Sequence, residues 1–296
     1  MTWVLLAIGS AALYGAANVL DNFFANRVFR NPLVIHFYSA AASIIFLPII
    51  FIWQRPALPP ADLIPALLIV GFVDLLVLYP YYRALQNDDT SVVSSLFSLG
   101  KVFIPVLAYL AVKEVLSPMQ YFGFLMVVFA SAAVTMQKGK ILRFRKSLWY
   151  MALSAFMLAI EATTYKYVFE RVDWVTGFTW SLISALGVIF ITVGIISPFR
   201  KLGFSLARFR GVAHLFVIEE LITFGAFVAV TYAISIAPVS LVHGVGSVQP
   251  FFILLYALVF KRWFPNMFKE DIARGSVIKK VALFAVTLIG VALIVR

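Results

Sequence analysis

The chain is predicted to be an all-α integral membrane protein, with ten transmembrane helices arranged as two five-helix repeats of inverted topology. Three observations carry this reading. Of the 296 residues, 63% are hydrophobic and only 12% charged, with a mean hydropathy of +0.99, far outside the range of soluble domains. The apolar residues are gathered into ten runs of spanning length, at roughly 3–25, 32–53, 62–85, 90–112, 118–137, 147–169, 174–197, 211–236, 239–260 and 277–295. The second half also slides onto the first so that Ala84 meets Ala233, Leu85 meets Ile234, Ser91 meets Ser240, Val93 meets Val242 and Ser98 meets Ser247.

Backbone exposed to lipid must satisfy its own hydrogen bonds. Runs this long and this continuously apolar do so as helices, since barrel strands alternate in polarity. The repeat divides the chain into residues 1–137, a basic linker at 138–146, and residues 147–296. An odd number of spans per half places the two copies in opposite orientations, a construction found in secondary transporters.

Taken in order, the first run lacks the basic start and small-residue cleavage site of a signal peptide, so it is expected to be retained. It carries Tyr14 and Asn18 within "LYGAAN". The second has His36 near its start, which, like His214, has no companion ligands in sequence. The third carries Asp74 near its middle and ends in "LQNDDT", where Asp88 and Asp89 suit N-capping of the fourth.

The fourth run contains "SSLFSLGKVFIPVLAYL", a stretch with one lysine near the bilayer midpoint. Ser91, Ser94, Ser95, Ser98 and Lys101 follow the i, i+3, i+4, i+7 spacing and make one polar stripe. A lysine at that depth costs about 3 kcal/mol on insertion scales and must face a partner or water. The serines alone are equally consistent with helix-packing contacts. Pro105 crowds the carbonyl of Lys101, and Gly100 adds flexibility.

The fifth run follows "LSP". The sixth carries Glu161 in "FMLAIEATTYKYVF", where Thr164 and Tyr165 share its face. A carboxyl group held away from water can exchange a proton near neutral pH or pair with an ammonium. A permanent ion pair between Glu161 and Lys101 is the structural alternative. No chemical group marks the seventh run, while the eighth carries Glu219 and Glu220. In the ninth, Ser240, His243 and Ser247 form a matching stripe beside Gly244, Gly246, Gln249 and Pro250. Gly100, Pro105, Gly246 and Pro250 are therefore the candidate hinges. The tenth run follows a long basic loop. Asp21 and Lys166 lie nearer helix ends and are expected to be solvated.

"YRALQNDDTSVVSSLFSLGKVFIPVLAYLAVKE", ending at Glu114, resembles the third-to-fourth helix signature of the EamA-type branch of the drug/metabolite transporter superfamily. "YAISIAPVSLVHGVGSVQPFFILLYALVF" resembles its second copy. The chain departs from the pattern at Gly100 and Lys101, where an acidic residue and proline are usual. It departs again at Trp263, where the second closing glutamate belongs. The resemblance implies a ten-helix secondary carrier with a central cavity. By analogy with the four-helix multidrug exporters, whose first-helix glutamate handles the cation, it implies a coupling role for Glu161.

The expected function is transport of a small polar, amine-containing metabolite such as an amino acid or related zwitterion, by alternating access and with possible proton coupling. Candidate binding residues are Lys101, Ser98, Ser94, Glu161, Asp74, His243, Gln249, Tyr14 and Asn18, with Glu161 and Asp74 for coupling. The alternative is a lipid or lipid-linked-sugar flippase. An intramembrane transferase is poorly supported by the single Asp88–Asp89 pair. No enzyme activity, cofactor or metal is expected, and no nucleotide-binding "GxxxxGK[ST]" occurs.

With no cysteine and a net charge of +11 concentrated at helix ends, the expected partners are substrate and anionic lipid headgroups, not nucleic acid. A monomer or homodimer in the cell membrane is expected. Loops 1–2, 3–4, 5–6, 7–8 and 9–10 carry most of the basic residues. The other side holds only Arg55, Lys113, Arg171 and Arg296, so the positive-inside rule places both termini outside the cytoplasm.

Overall fold

The computed structural model describes residues 1–29, 31–87, 90–133, 146–196, 206–260 and 274–296. Among these, all regular structure is helical. Helix α1 (Thr2–Phe23) runs into a π-helical turn at Phe24–Val28. Helices α2 (Pro32–Ser43) and α3 (Phe46–Gln54) form one interrupted span, started by the Asn31 side chain, which accepts from the Leu33 N–H at 3.1 Å. A short turn at Ala61–Leu63 leads into α4 (Ile64–Asn87).

There follow α5 (Thr90–Gly100), α6 (Phe103–Val112), α7 (Pro118–Ala133), α8 (Lys146–Phe169), α9 (Trp174–Ile196) and α10 (Leu206–Ile236). The chain closes with α11 (Val239–Gly246), α12 (Gln249–Phe260) and α13 (Arg274–Val295).

Six described segments are long and apolar enough to cross a membrane: Thr2–Val28, Pro32–Gln54, Ala61–Asn87, Trp174–Ile195, Phe209–Ile236 and Val239–Phe260. Shorter apolar helices cover Leu96–Val112, Pro118–Ala133 and Val281–Val295. Large apolar side chains such as Trp53, Phe72, Phe122, Ile195 and Leu221 are exposed along them, as lipid-facing residues are. The expected runs at 211–236 and 277–295 start earlier, at Leu206 and Arg274. Residues 134–137, nearly all of the 138–146 linker, and Asp88 and Asp89 lie outside the described residues.

The most extensive helix pairings are α4 with α8, α1 with α10, and α7 with α13. In the last pair Gly123 meets Gly290. A Cβ on Gly123 would lie 2.6 Å from the Gly290 carbonyl oxygen, so the two backbones touch as small-residue interfaces in membranes do.

Prolines interrupt two spans by one mechanism. Pro48 has no N–H for the Ile44 carbonyl, which instead accepts from Leu47 N at 3.1 Å. Pro105 likewise has none for Lys101. The crowded Lys101 carbonyl is not left free, because Ile104 N takes it at 2.9 Å in a tightened turn. Gly100 also does more than add flexibility: a Cβ there would sit 1.9 Å from that of Ala155, so α5 presses directly on α8.

The half-helix before the first break, α5, has 11 residues and that before the second, α11, has 8; Lys101 directly follows the first and Ser247 the second.

The corner joining α10 and α11 is held by charged groups from both sides. Glu114, turned back by the left-handed Lys113 (φ 56°), accepts from Val239 N at 2.7 Å and Ser240 N at 3.0 Å. Lys166 is not free in solvent as expected: its ammonium donates to the carbonyls of Ile234 and Ala237, each at 3.2 Å. Glu114→Ala should destabilise the protein by about 1–2 kcal/mol, the usual worth of a helix N-cap. Thermal unfolding in detergent measures this, and an unchanged midpoint would show that the clasp contributes nothing.

Candidate functional site: a charged cavity among the helices

A cavity of about 280 Å³ lies at the centre of the bundle, lined from α1, α2, α4, α8, α9, α10 and the two broken spans α5–α6 and α11–α12. It brings together Tyr14, Asn18, Asp74, Lys101, Glu161, His243 and Gln249 of the expected site. Gly246 lines it as well. Ser94 and Ser98 do not: both are buried away from the cavity, and the Ser94 hydroxyl has no hydrogen-bond partner. Of Ser94, Ser98 and Lys101, the stripe residues whose side chains are described, Lys101 alone lines the cavity. Gly100 and Pro105 stand beside the break without lining the cavity, and Pro250 sits in the first turn of α12.

Lys101 is only 5% exposed. Among the described residues no carboxylate lies within 4 Å of its ammonium and none of its hydrogen bonds is to a side chain. A Cβ on Gly246, in the second broken span, would be 3.8 Å from Nζ, and His243 is close enough to feel its charge. The Nε2 of His243 is buried without a partner. A permanent Lys101–Glu161 ion pair is thus absent from this conformation.

The acidic side chains fall into two groups. Asp74 on α4 and Glu161 on α8 are close enough to interact electrostatically. Asp74 Oδ2 is 3.3 Å from His36 Nε2, while Glu161 is 7% exposed and has no hydrogen-bond partner among the described residues. The second group is Asp21 on α1 with Glu219 and Glu220 on α10, all buried.

Asp21 accepts from Tyr81 at 2.9 Å and Tyr82 at 3.2 Å, and the Tyr81 hydroxyl is also 2.8 Å from Asn18 Oδ1. Glu220 accepts from the Ser39 hydroxyl and from Ser43 at 2.6 Å. Glu219 accepts from Thr223 at 2.6 Å.

One expectation is corrected here. Asp21 is not solvated, because α1 continues past it into the π-turn and α4 brings two tyrosines over it. His36, which has no companion near it in sequence, is directed by α2 at Asp74. The spacing of His36, Ser39 and Ser43 on one face of α2 was the available sequence signal for a polar wall. It is masked by the apolar residues between them.

The apolar helical bundle defines a multi-pass membrane protein with a charged interior. Residues 1–136 match the model of the EamA-like transporter family, in agreement with the resemblance read from the sequence. A solved structure, described only as the crystal structure of a protein, has the same fold: TM-score 0.67 at 14% identity, covering 97% of this chain and 98% of that one. No match was found among curated proteins.

Proposed function

We propose that the chain is a secondary carrier for a small amine-containing zwitterion, working by alternating access with ten spans in two inverted repeats. The carrying observation is the unpaired charge in the cavity: a buried ammonium at Lys101 and a buried carboxyl at Glu161, neither satisfied by the protein. An unpaired buried ion costs several kcal/mol, and a ligand carrying both a carboxylate and an ammonium removes that cost at both ends. Lys101 then receives the carboxylate beside His243 and Gln249, and Glu161 with Asp74 receives the ammonium or the coupling proton, with Tyr14 and Asn18 completing the wall.

The helix pairings support the repeat. Exchanging the halves turns the α4–α8 contact into α10–α1 and the α7–α13 contact into itself. The breaks after Gly100 and Gly246 are the deformable points through which the two halves rock. The charge bias supports termini outside the cytoplasm, which a terminal reporter active only in the cytoplasm would contradict.

The test is uptake into liposomes holding the purified protein, using labelled amino acids, amines and a neutral polyol under an imposed pH gradient. Saturable uptake of an amine-bearing zwitterion, absent for the polyol, supports the proposal. Uptake no faster than in empty liposomes, or lipid scrambling without solute uptake, overturns it.

A further inference from the structure

The zwitterion reading uses one ammonium, one carboxylate and the Asp74–Glu161 group. It leaves Asp21, Glu219 and Glu220 unexplained. These three carboxyl groups line the same cavity, and each receives at least one hydroxyl donor from Tyr81, Tyr82, Ser39, Ser43 or Thr223. Hydroxyl donation stabilises the ionised form of a carboxyl group; Glu219 and Glu220 also hydrogen-bond each other and His36 lies near Glu220, yet among the described residues no lysine or arginine lies within 4 Å of any of the three.

No group of three or more acidic or histidine side chains among the described residues is arranged to hold a metal ion. No lysine or arginine among the described residues supplies a countercharge within 4 Å, and an amine of the ligand can. Lys101, 5% exposed and unpaired in the same cavity, shows independently that the space is built to receive a charged ligand.

Resting on the carrier reading above, we infer that the substrate is an amino acid bearing a second cationic group. Its carboxylate meets Lys101, one cation meets Asp74 and Glu161, and the other meets the Asp21–Glu219–Glu220 group. The class is a net-cationic amino acid, because a cavity with one lysine and two separate acidic groups has room for one anionic and two cationic centres. The tyrosines flanking the second group favour cations through their ring faces as well as their hydroxyls.

The experiment compares three probes of related skeleton by thermal stabilisation and titration of the purified protein. Ornithine carries all three charges, norvaline lacks the side-chain amine, and putrescine lacks the carboxylate. Ornithine is expected to bind about tenfold more tightly than either of the others, the usual worth of one charge-assisted contact. Glu219→Gln and Glu220→Gln should each bring ornithine down towards norvaline while leaving norvaline unchanged.

Norvaline or putrescine binding as tightly as ornithine overturns the inference, and so do glutamine variants that weaken norvaline as much as ornithine. The wild-type comparison decides the matter even if neither variant folds. Norvaline binding without any ornithine preference leaves the carrier proposal standing, whereas failure of all three probes removes both.

Discussion

Lys101→Met is expected to weaken binding of any carboxylate-bearing substrate by about two orders of magnitude while leaving the protein folded and inserted. The ammonium is buried at the α5–α6 break and meets no carboxylate of the protein. Its removal therefore strands no partner in the empty state. In the loaded state it leaves a substrate carboxylate without its countercharge, a loss of about 3 kcal/mol or more. Methionine fills similar space and is the easier residue to place in a membrane.

Lys101→Arg should recover only part of the affinity, because the planar guanidinium differs in reach and donor geometry and Gly246 leaves it little extra room. Titration of purified wild type and both variants reads the effect. Normal binding and transport by the methionine variant would reduce Lys101 to a structural residue.

Glu161→Gln is expected to abolish pH-gradient-driven uptake while keeping the fold. A carboxamide preserves shape and can still accept a hydrogen bond, but it cannot exchange a proton. Glu161 is the one acidic residue lining the cavity that has neither a hydroxyl donor nor a basic partner among the described residues, so no internal contact is lost with its charge. Asp74→Asn is the informative comparison. It removes the partner of His36, 3.3 Å away, so it should cost stability as well as coupling. Liposome uptake with and without a pH gradient, together with a melting curve, separates the two. Unchanged pH dependence in Glu161→Gln would assign the residue to packing.

Glu114 and Lys166 bear on the same question of motion. Their grip on the α10–α11 corner has no charged counterpart among the described residues at the end of α4. There, neutral amides of Asn26 and Gln86 join Leu85 and Ala25, at 2.9 and 3.2 Å.

Hydropathy by itself determined that the chain is helical and embedded in a membrane, because lipid offers no alternative partner for the backbone. Intramembrane charge determined that Lys101, Asp74 and Glu161 face inward, because lipid will not hold them. The proline and glycine pattern determined where two of the spans break. Only the tertiary structure decided the rest.

Asp21 and His36 lie near the ends of their spans in sequence, where solvation is the default expectation. Helix crossing places tyrosines over one and an aspartate against the other, and neither relation has a local signature. Ser94 and Ser98 share the face of Lys101 on an ideal helix. The tightened turn after Gly100, pressed onto Ala155, lets the lysine enter the cavity while the serines stay packed between helices. Which buried charges are paired and which are left open to a ligand depends on contacts between residues far apart in the chain, and periodicity carries no information about those distances.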